Sequence, residues 1–417
     1  MMKPKMTILW HSVSPFCASG YGKVTKYLTQ GFVELGYRVV ISAYYGVEPG
    51  QMIRLRENLL LVGSKVGPFG VHSSKMYADM FKADIRILHT DWWAFPLFPK
   101  LHKDRAILYS PMDSENYDPD TYAFTKEYWK IVVISKFSQK DLERHGIQVD
   151  AFIPHGVDIN IFRPMNKEEC RKHFNFPVDK FIFGTVAANN DKEDRKNFTG
   201  TIKAFKYMME QDPDIAKDCM LVFFTSANNP QGYPIRKIIR KYGLEHKVVL
   251  FPDDLFSVGL PDQELAKLYN TFNVHVLCSK REGFGIPIIE SMACKVPNIV
   301  HNYSAPPELV KGRGWLVKSL TQGINIIVSP INSEFHIPDT YDLYEKMKRA
   351  VLKDKEREKY ARLSRQFALR YNWSDLIHEK WKPFLEQVEE DLKTIPGESH
   401  KFIVEEMKEY LKRERND

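Results

Sequence analysis

Val274-His275-Val276-Leu277-Cys278, then Ser279-Lys280-Arg281, then Glu282-Gly283-Phe284-Gly285-Ile286-Pro287-Ile288-Ile289-Glu290 is the stretch on which the reading of this chain turns. Its first five residues are a short apolar run rich in valine, which reads as a buried strand. Two glycines then punctuate the chain, and Ile288-Ile289-Glu290-Ser291-Met292-Ala293-Cys294 continues as a helix. Strand, glycine turn and helix start in that order make an anion cradle. The first-turn N–H groups have no partner inside the helix, and the dipole adds partial positive charge there. Pro287 suits the first turn, where it loses no hydrogen bond. Glu290 falls just inside the helix, and a carboxylate there is an acceptor-only group suited to a pair of sugar hydroxyls. The spacing of the two glutamates alone fits a solvated acid at a helix tip; the strand before and the Gly-Phe-Gly turn between carry the functional reading.

Outward from this stretch, apolar β-branched runs alternate with helical patterns along the chain. Strands are expected at 7–10, 38–43, 59–62, 85–89, 106–109, 131–134 and 151–153, with helices at 22–35 and 136–145. The alternation restarts with strands at 181–186, 220–225, 248–251, 274–278 and 298–300, and helices at 198–210, 234–242, 262–272 and 287–294. Two such runs imply an α/β protein with two Rossmann-like parallel-sheet domains facing across a cleft. Ligands in such sheets bind outside the carboxyl ends of the strands. The break falls at Pro154-His155-Gly156-Val157-Asp158, continuing to Phe162-Arg163-Pro164, a stiff segment that no helix crosses. His155 reads as a hinge residue bonded to backbone, with a reach into the cleft as the alternative. The expected units are 1–160, 161–372 and a closing helical segment at 373–417. Residues 319–341 read as a loop or insertion and 343–371 as helical; beyond 395, Phe402, Ile403, Met407 and Leu411 hint at an amphipathic helix.

Composition narrows the classes. With 417 residues, 43% hydrophobic and 27% charged, the chain is large enough for two or three cores. No apolar run approaches the ~20 residues of a membrane helix, and the N-terminal pattern directs nothing to secretion, so a cytoplasmic setting is expected. The five cysteines are scattered without C-x-x-C spacing, which speaks against zinc and a disulfide framework. A net charge of +7 suits nucleotide phosphates or anionic lipid heads at the inner face of a membrane, and no basic stripe marks a nucleic-acid reader.

The Glu282–Glu290 segment resembles the E-x7-E signature of retaining GT-B glycosyltransferases of the GT4 kind. Pro154 to Pro164 is similar to that family's interdomain segment, and Asn372-Trp373-Ser374 with the residues after it to its closing helix, which crosses back to the first domain. By this likeness Glu282 reaches the transferred sugar and Glu290 the nucleotide ribose, with Gly283, Phe284, Gly285 and Ile286 lining the donor. Arg195-Lys196-Asn197 resembles the family's phosphate clamp; a guanidinium fork and an ammonium suit a diphosphate. Ser19-Gly20-Tyr21-Gly22 resembles its N-terminal glycine loop, which places Gly20 and Gly22 near donor phosphate. Ser304-Ala305-Pro306-Pro307-Glu308 and Gly312 to Val317 resemble the tail of the site.

The likeness has a gap. Many relatives carry a histidine after the strand that ends here in Ser110-Pro111-Met112-Asp113. Asp113 stands as the replacement, and His89, at the end of the neighbouring strand, as the other source of an imidazole. Trp92 and Trp93 suit stacking on a sugar or burial. The D-x-D pairs Asp118-Pro119-Asp120 and Asp212-Pro213-Asp214 read as turns.

The resemblance implies a metal-independent hexosyltransferase that takes a GDP-, UDP- or ADP-sugar to a glycan, lipid-linked or small-molecule acceptor, with no cofactor beyond the co-substrate. A catalytically silent sugar-nucleotide binder of the same fold is the alternative. A Rossmann oxidoreductase is disfavoured because Thr25 breaks G-x-G-x-x-G.

Overall fold

The computed structural model describes residues 4–64, 68–97 and 105–394. The amphipathic hint beyond 395 lies outside the described residues. The first half forms an eight-stranded sheet in the order β3-β4-β2-β1-β5-β6-β7-β8. Its strands are β1 (Thr7–Ser12), β2 (Arg38–Ala43), β3 (Met52–Arg56), β4 (Leu59–Gly63), β5 (Ile85–Leu88), β6 (Ala106–Tyr109), β7 (Lys130–Val133) and β8 (Ala151–Phe152). The second half forms a six-stranded sheet in the order β11-β10-β9-β12-β13-β14. Its strands are β9 (Phe181–Val186), β10 (Cys219–Phe224), β11 (Val248–Leu250), β12 (Val274–Leu277), β13 (Asn298–His301) and β14 (Trp315–Val317).

All pairings in both sheets are parallel except β3 with β4. Parallel strands covered by helices on both faces are buried along their whole length, as β12 and β13 are, and their polar His275, Asn298 and His301 are hydrogen-bonded. The two-sheet α/β architecture and the expected strands stand, with ends displaced by one or two residues. Two strands of these sheets were missed in sequence: β14, a three-residue edge strand, and β3. It is the antiparallel edge strand, half-exposed with alternating burial and two arginines, so it lacks the apolar run that marks its neighbours.

Two other expectations are corrected, and the helical reading of 343–371 holds with a break. The 319–341 stretch is not plain loop. It carries the hairpin β15 (Ile327–Val328) and β16 (Glu334–Phe335) and ends in a helix beginning at Thr340. Glu115 and Glu334 exchange backbone hydrogen bonds of 3.1 and 2.8 Å, so the hairpin bridges to the first sheet's loops. The 343–371 stretch is two helices, Thr340–Leu352 and Asp354–Ala368, broken at Lys353, whose ψ of 70° leaves the helical region, and then a 3-10 turn. The D-x-D pairs are helix starts rather than turns: Asp118 accepts from the Asp120 N–H at 2.9 Å ahead of Pro119–Thr125, and Asp212 precedes Pro213–Ala216. Proline at a first helical position explains both.

The chain from Trp373 onward packs on the first half. Trp373 stacks on Tyr27 with centroids 5.5 Å apart, and Trp381, fully buried, contacts Phe32 and Tyr109 at 5.1 and 4.8 Å. Gly156 lets this crossing approach: a Cβ there would lie 2.6 Å from the Trp373 ring. No helix among the described residues is long and apolar enough to cross a membrane.

Candidate active site

The carboxyl ends of the two sheets face each other, and the local sequence explains how each end projects its side chains. After β12, Gly285 takes φ of 93°, a left-handed value that glycine adopts freely, and turns the chain into the helix Ile286–Ala293 with Pro287 in its first turn. The amides of Gly283 to Ile286 meet no backbone acceptor among the described residues. Gly283 must be small because a Cβ there would lie 2.7 Å from Pro111 across the cleft; Gly20 lies opposite Ile286, where a Cβ would only touch the side-chain tip at 3.4 Å. Gly22 plays another part: its N–H is taken by the Ser19 cap at 3.1 Å, and a side chain there would strike the Cys17 carbonyl.

After β9, Asp194 and Asn197 adopt φ of 54° and 56° on either side of Arg195-Lys196. Asn and Asp tolerate this region better than most residues. The Asp194 carboxylate accepts from the N–H groups of Phe198 and Thr199 at 2.8 and 3.0 Å, capping the helix Phe198–Gln211. This tight turn aims both cations into the cleft.

There Lys196 pairs with Glu282, which also accepts from Ser279 Oγ at 2.8 Å and is 7% exposed. Burial alone would raise the Glu282 carboxyl, but Lys196 and Arg195 outweigh it and hold it below the usual range. Burial, joined by the charge of Arg195, lowers Lys196. Arg195 lies 3.8 Å from both Asp113 and Asp191. Arg281, buried, lies 3.8 Å from Asp113 and 3.5 Å from Glu193, with the Phe335 ring of the hairpin over its guanidinium at 5.2 Å. Asp113 accepts from Ser114 Oγ and Tyr117 OH at 3.0 and 3.2 Å; burial would raise it, but Arg281 and Arg195 hold it low. Asp91 accepts from Tyr21 OH at 2.6 Å and is raised by burial.

The structure therefore joins Glu282, Arg195, Lys196 and Asp113 in one polar network. His89 is not part of it. Its ring is fully buried among Trp10, Tyr21 and Tyr109, and its Nδ1 donates to the Tyr109 carbonyl at 2.7 Å; burial lowers its pKa to about 4. Trp92 is likewise buried. His155 corrects an expectation: neither ring nitrogen bonds to backbone, and the ring is wedged against Phe284, His89 and Tyr109. Glu308 caps the helix Lys136–Arg144 from across the cleft, accepting from the N–H groups of Lys136 and Phe137 at 2.9 and 2.7 Å.

Sequence reasoning missed Arg281, Tyr21, Asp91 and Lys23 as members of the site. Arg281 directly precedes Glu282, and Asp91 follows β5 much as Asp113 follows β6, so adjacency and the strand-end rule were available signals. Lys23 carried none. Among the described residues no group of three His, Cys, Asp or Glu side chains is placed to hold a metal ion.

Residues 166–329 match the family described as Glycosyl transferases group 1. A probable sucrose-phosphate synthase of Thermosipho melanesiensis is 27% identical over 199 residues, 44% of this chain and 42% of that protein. The matched stretch spans about half the length of the curated relatives, or less. Among solved structures, sucrose-phosphate synthase from Thermosynechococcus elongatus superposes with a TM-score of 0.72 at 17% identity, covering 92% of this chain and 99% of that one. Anabaena HepE in complex with UDP-glucose gives 0.66 at 14% identity, covering 91% and 100%. Residues 166–329 thus match the group 1 glycosyltransferase family, and the chain as a whole has the two-sheet GT-B fold of these solved structures.

Proposed function

We propose that this protein transfers a hexosyl group from a nucleoside diphosphate sugar to a hydroxyl acceptor, with retention of anomeric configuration and without a metal ion. The observation that carries the reading is the convergence of Arg195, Lys196 and Arg281 with the buried Glu282 on the amide-lined start of the helix Ile286–Ala293. Fixed positive charge of that kind stabilises a departing diphosphate, which is where charge develops in this reaction. The likeness in fold to HepE, a structure that holds UDP-glucose, supports a nucleotide-sugar donor.

In this reading the diphosphate draws the three cations away from the carboxylates that now neutralise them. Glu282 is then released to accept from the transferred sugar, and Asp113 and Asp91 face the acceptor from the first half. Glu290 accepts from the ribose hydroxyls. The glycosidic C–O bond to phosphate breaks, the acceptor oxygen forms the new bond on the same face, and the leaving phosphate oxygen takes the acceptor's proton. The protein supplies placement and charge stabilisation. A glycan, a lipid-linked glycan and a sugar phosphate all present the required hydroxyl.

The test is nucleoside diphosphate release over a panel of UDP-, GDP- and ADP-sugars with added acceptors, followed by assignment of the product's anomeric configuration. Turnover with at least one donor and a retained product is expected. An inverted product, or a glycosyl group trapped on any side chain, contradicts the mechanism.

A further inference from the structure

Glu290 is 2% exposed, and both its oxygens are already engaged: Oε1 accepts from Lys23 Nζ and Oε2 from Tyr269 OH at 2.9 Å. Tyr269 lies in the same half, on the helix Asp262–Thr271, whereas Lys23 reaches across the cleft from the helix Gly20–Glu34. Lys23 also pairs with Asp262 at 3.2 Å, and its ammonium sits 4.9 Å from the centre of the Phe162 ring. Lys26 and Tyr27, one helical turn on, reach the same Asp262 at 3.4 and 3.3 Å. A carboxylate that is to receive two sugar hydroxyls needs a free lone pair on each oxygen, and of its roughly four sites the Lys23 ammonium takes one on Oε1 from the cleft.

We propose that Lys23 is a built-in stand-in for the ribose, holding Glu290 while no nucleotide is bound and leaving it when a nucleoside diphosphate enters. The inference rests on the reading of Glu290 as the ribose acceptor. Asp262 makes the exchange feasible, since Lys23 keeps that partner when it leaves Glu290. The nucleotide trades one ammonium for two hydroxyls on a carboxylate that never lacks a hydrogen-bond donor, which matters because a buried acceptor left unsatisfied costs its full desolvation penalty. The affinity it shows is its intrinsic affinity reduced by the fraction of molecules in which Lys23 is off Glu290. A nucleotide lacking both ribose hydroxyls does not compete for Glu290.

The experiment is titration calorimetry of the full chain with UDP, GDP and ADP and with their 2′,3′-dideoxy forms, on the wild type, Lys23→Met and Asp262→Asn. In Lys23→Met the ribonucleotide that binds best is expected to bind about tenfold more tightly, while its dideoxy form gains nothing. Asp262→Asn removes the second partner of Lys23, concentrates it on Glu290 and weakens ribonucleotide binding. Unchanged or weaker ribonucleotide binding by a Lys23→Met protein that melts cooperatively overturns the proposal, as does an equal gain for the dideoxy form. If Lys23→Met does not fold, Asp262→Asn decides, and binding that is unchanged or tighter overturns it. Nucleotide binding that ignores Lys23 sinks this proposal alone; binding of no nucleotide by any of the three proteins sinks the ribose reading beneath it as well.

Discussion

Glu282 and Glu290 sit at the two ends of one short segment but in different electrostatic settings. Glu282 is held ionised by Lys196 and Arg195 in spite of burial. Glu290 is raised by burial in spite of Lys23. Glu282 therefore suits a role at the reacting sugar, where fixed negative charge steadies developing positive charge on the ring, and Glu290 suits exchange of hydrogen-bond donors. Glu282→Gln keeps the shape and removes the charge, so the turnover number is expected to fall by about a hundredfold or more while nucleoside diphosphate affinity holds within about threefold. Glu290→Ala is expected to do the reverse, raising the nucleotide Kd by at least about tenfold. Parallel losses of affinity and turnover in both variants, measured by calorimetry and nucleotide release, would show that the two acids do not divide the work. Arg281 is the residue most easily overlooked here: it is shielded by Phe335 and braced by Asp113 and Glu193, so it stays aimed at the cleft without the entropy cost of an exposed side chain.

At the scale of the element, the proposed phosphate clamp depends on the cap that shapes it. Asp194 holds a left-handed conformation, and its carboxylate takes two N–H groups at the start of Phe198–Gln211. Asp194→Ala leaves those donors open and frees the turn that carries Arg195 and Lys196. It is expected to cost about 1–2 kcal/mol of stability and to weaken diphosphate binding, both readable in a denaturant titration with and without nucleotide. A loss of stability with intact nucleotide affinity would mean that the turn does not need its cap in order to aim the cations. Gly285 is the corresponding position in the turn before the helix Ile286–Ala293. A Cβ there would meet Ile288 Cδ1 at 2.6 Å in a backbone conformation that L residues rarely adopt, so Gly285→Ala is expected to destabilise the fold by at least about 1 kcal/mol.

At the scale of the molecule, the two halves are held by the crossing helix, the hairpin and the ion pairs of the cleft, over cores that bury several histidines. Burial lowers His11, His89, His275 and His301 to about 4. Their folded values lie below the unfolded value near 6.5, so the stability they contribute is fully present above pH 6.5 and is lost as the pH falls towards 4. Each shift corresponds to at most about 3 kcal/mol. Asp91, Glu290 and Glu308, raised by burial, work in the opposite sense: what they contribute is lost as the pH rises from their unfolded range through their raised folded values, which offsets part of the histidine effect. The Tm is therefore expected to fall steadily between pH 6.5 and 4.5. A Tm that stays level or rises over that interval in scanning calorimetry would contradict the neutral burial of these rings. Trp381→Ala removes a fully buried indole that joins the crossing helix to Phe32 and Tyr109, and is expected to cost about 3–5 kcal/mol.

Much of this was open to reading in the amino-acid order alone, because it rests on local rules. The alternation of apolar runs with helical spacing dictates parallel sheets, Gly285-Ile286-Pro287 dictates a turn into a helix, and Arg195-Lys196 after β9 must lie at a strand's carboxyl end. The tertiary structure decided what depends on residues distant in the chain. Lys23 meets Glu290 from 267 positions away, and Arg281 meets Ser114 from 167. His89 looked like a site histidine by its place after a strand, but the sheet turns it beneath Tyr21 into the core. Local preferences specify most of the core elements; which charge neutralises which is settled only when the two halves close on one another.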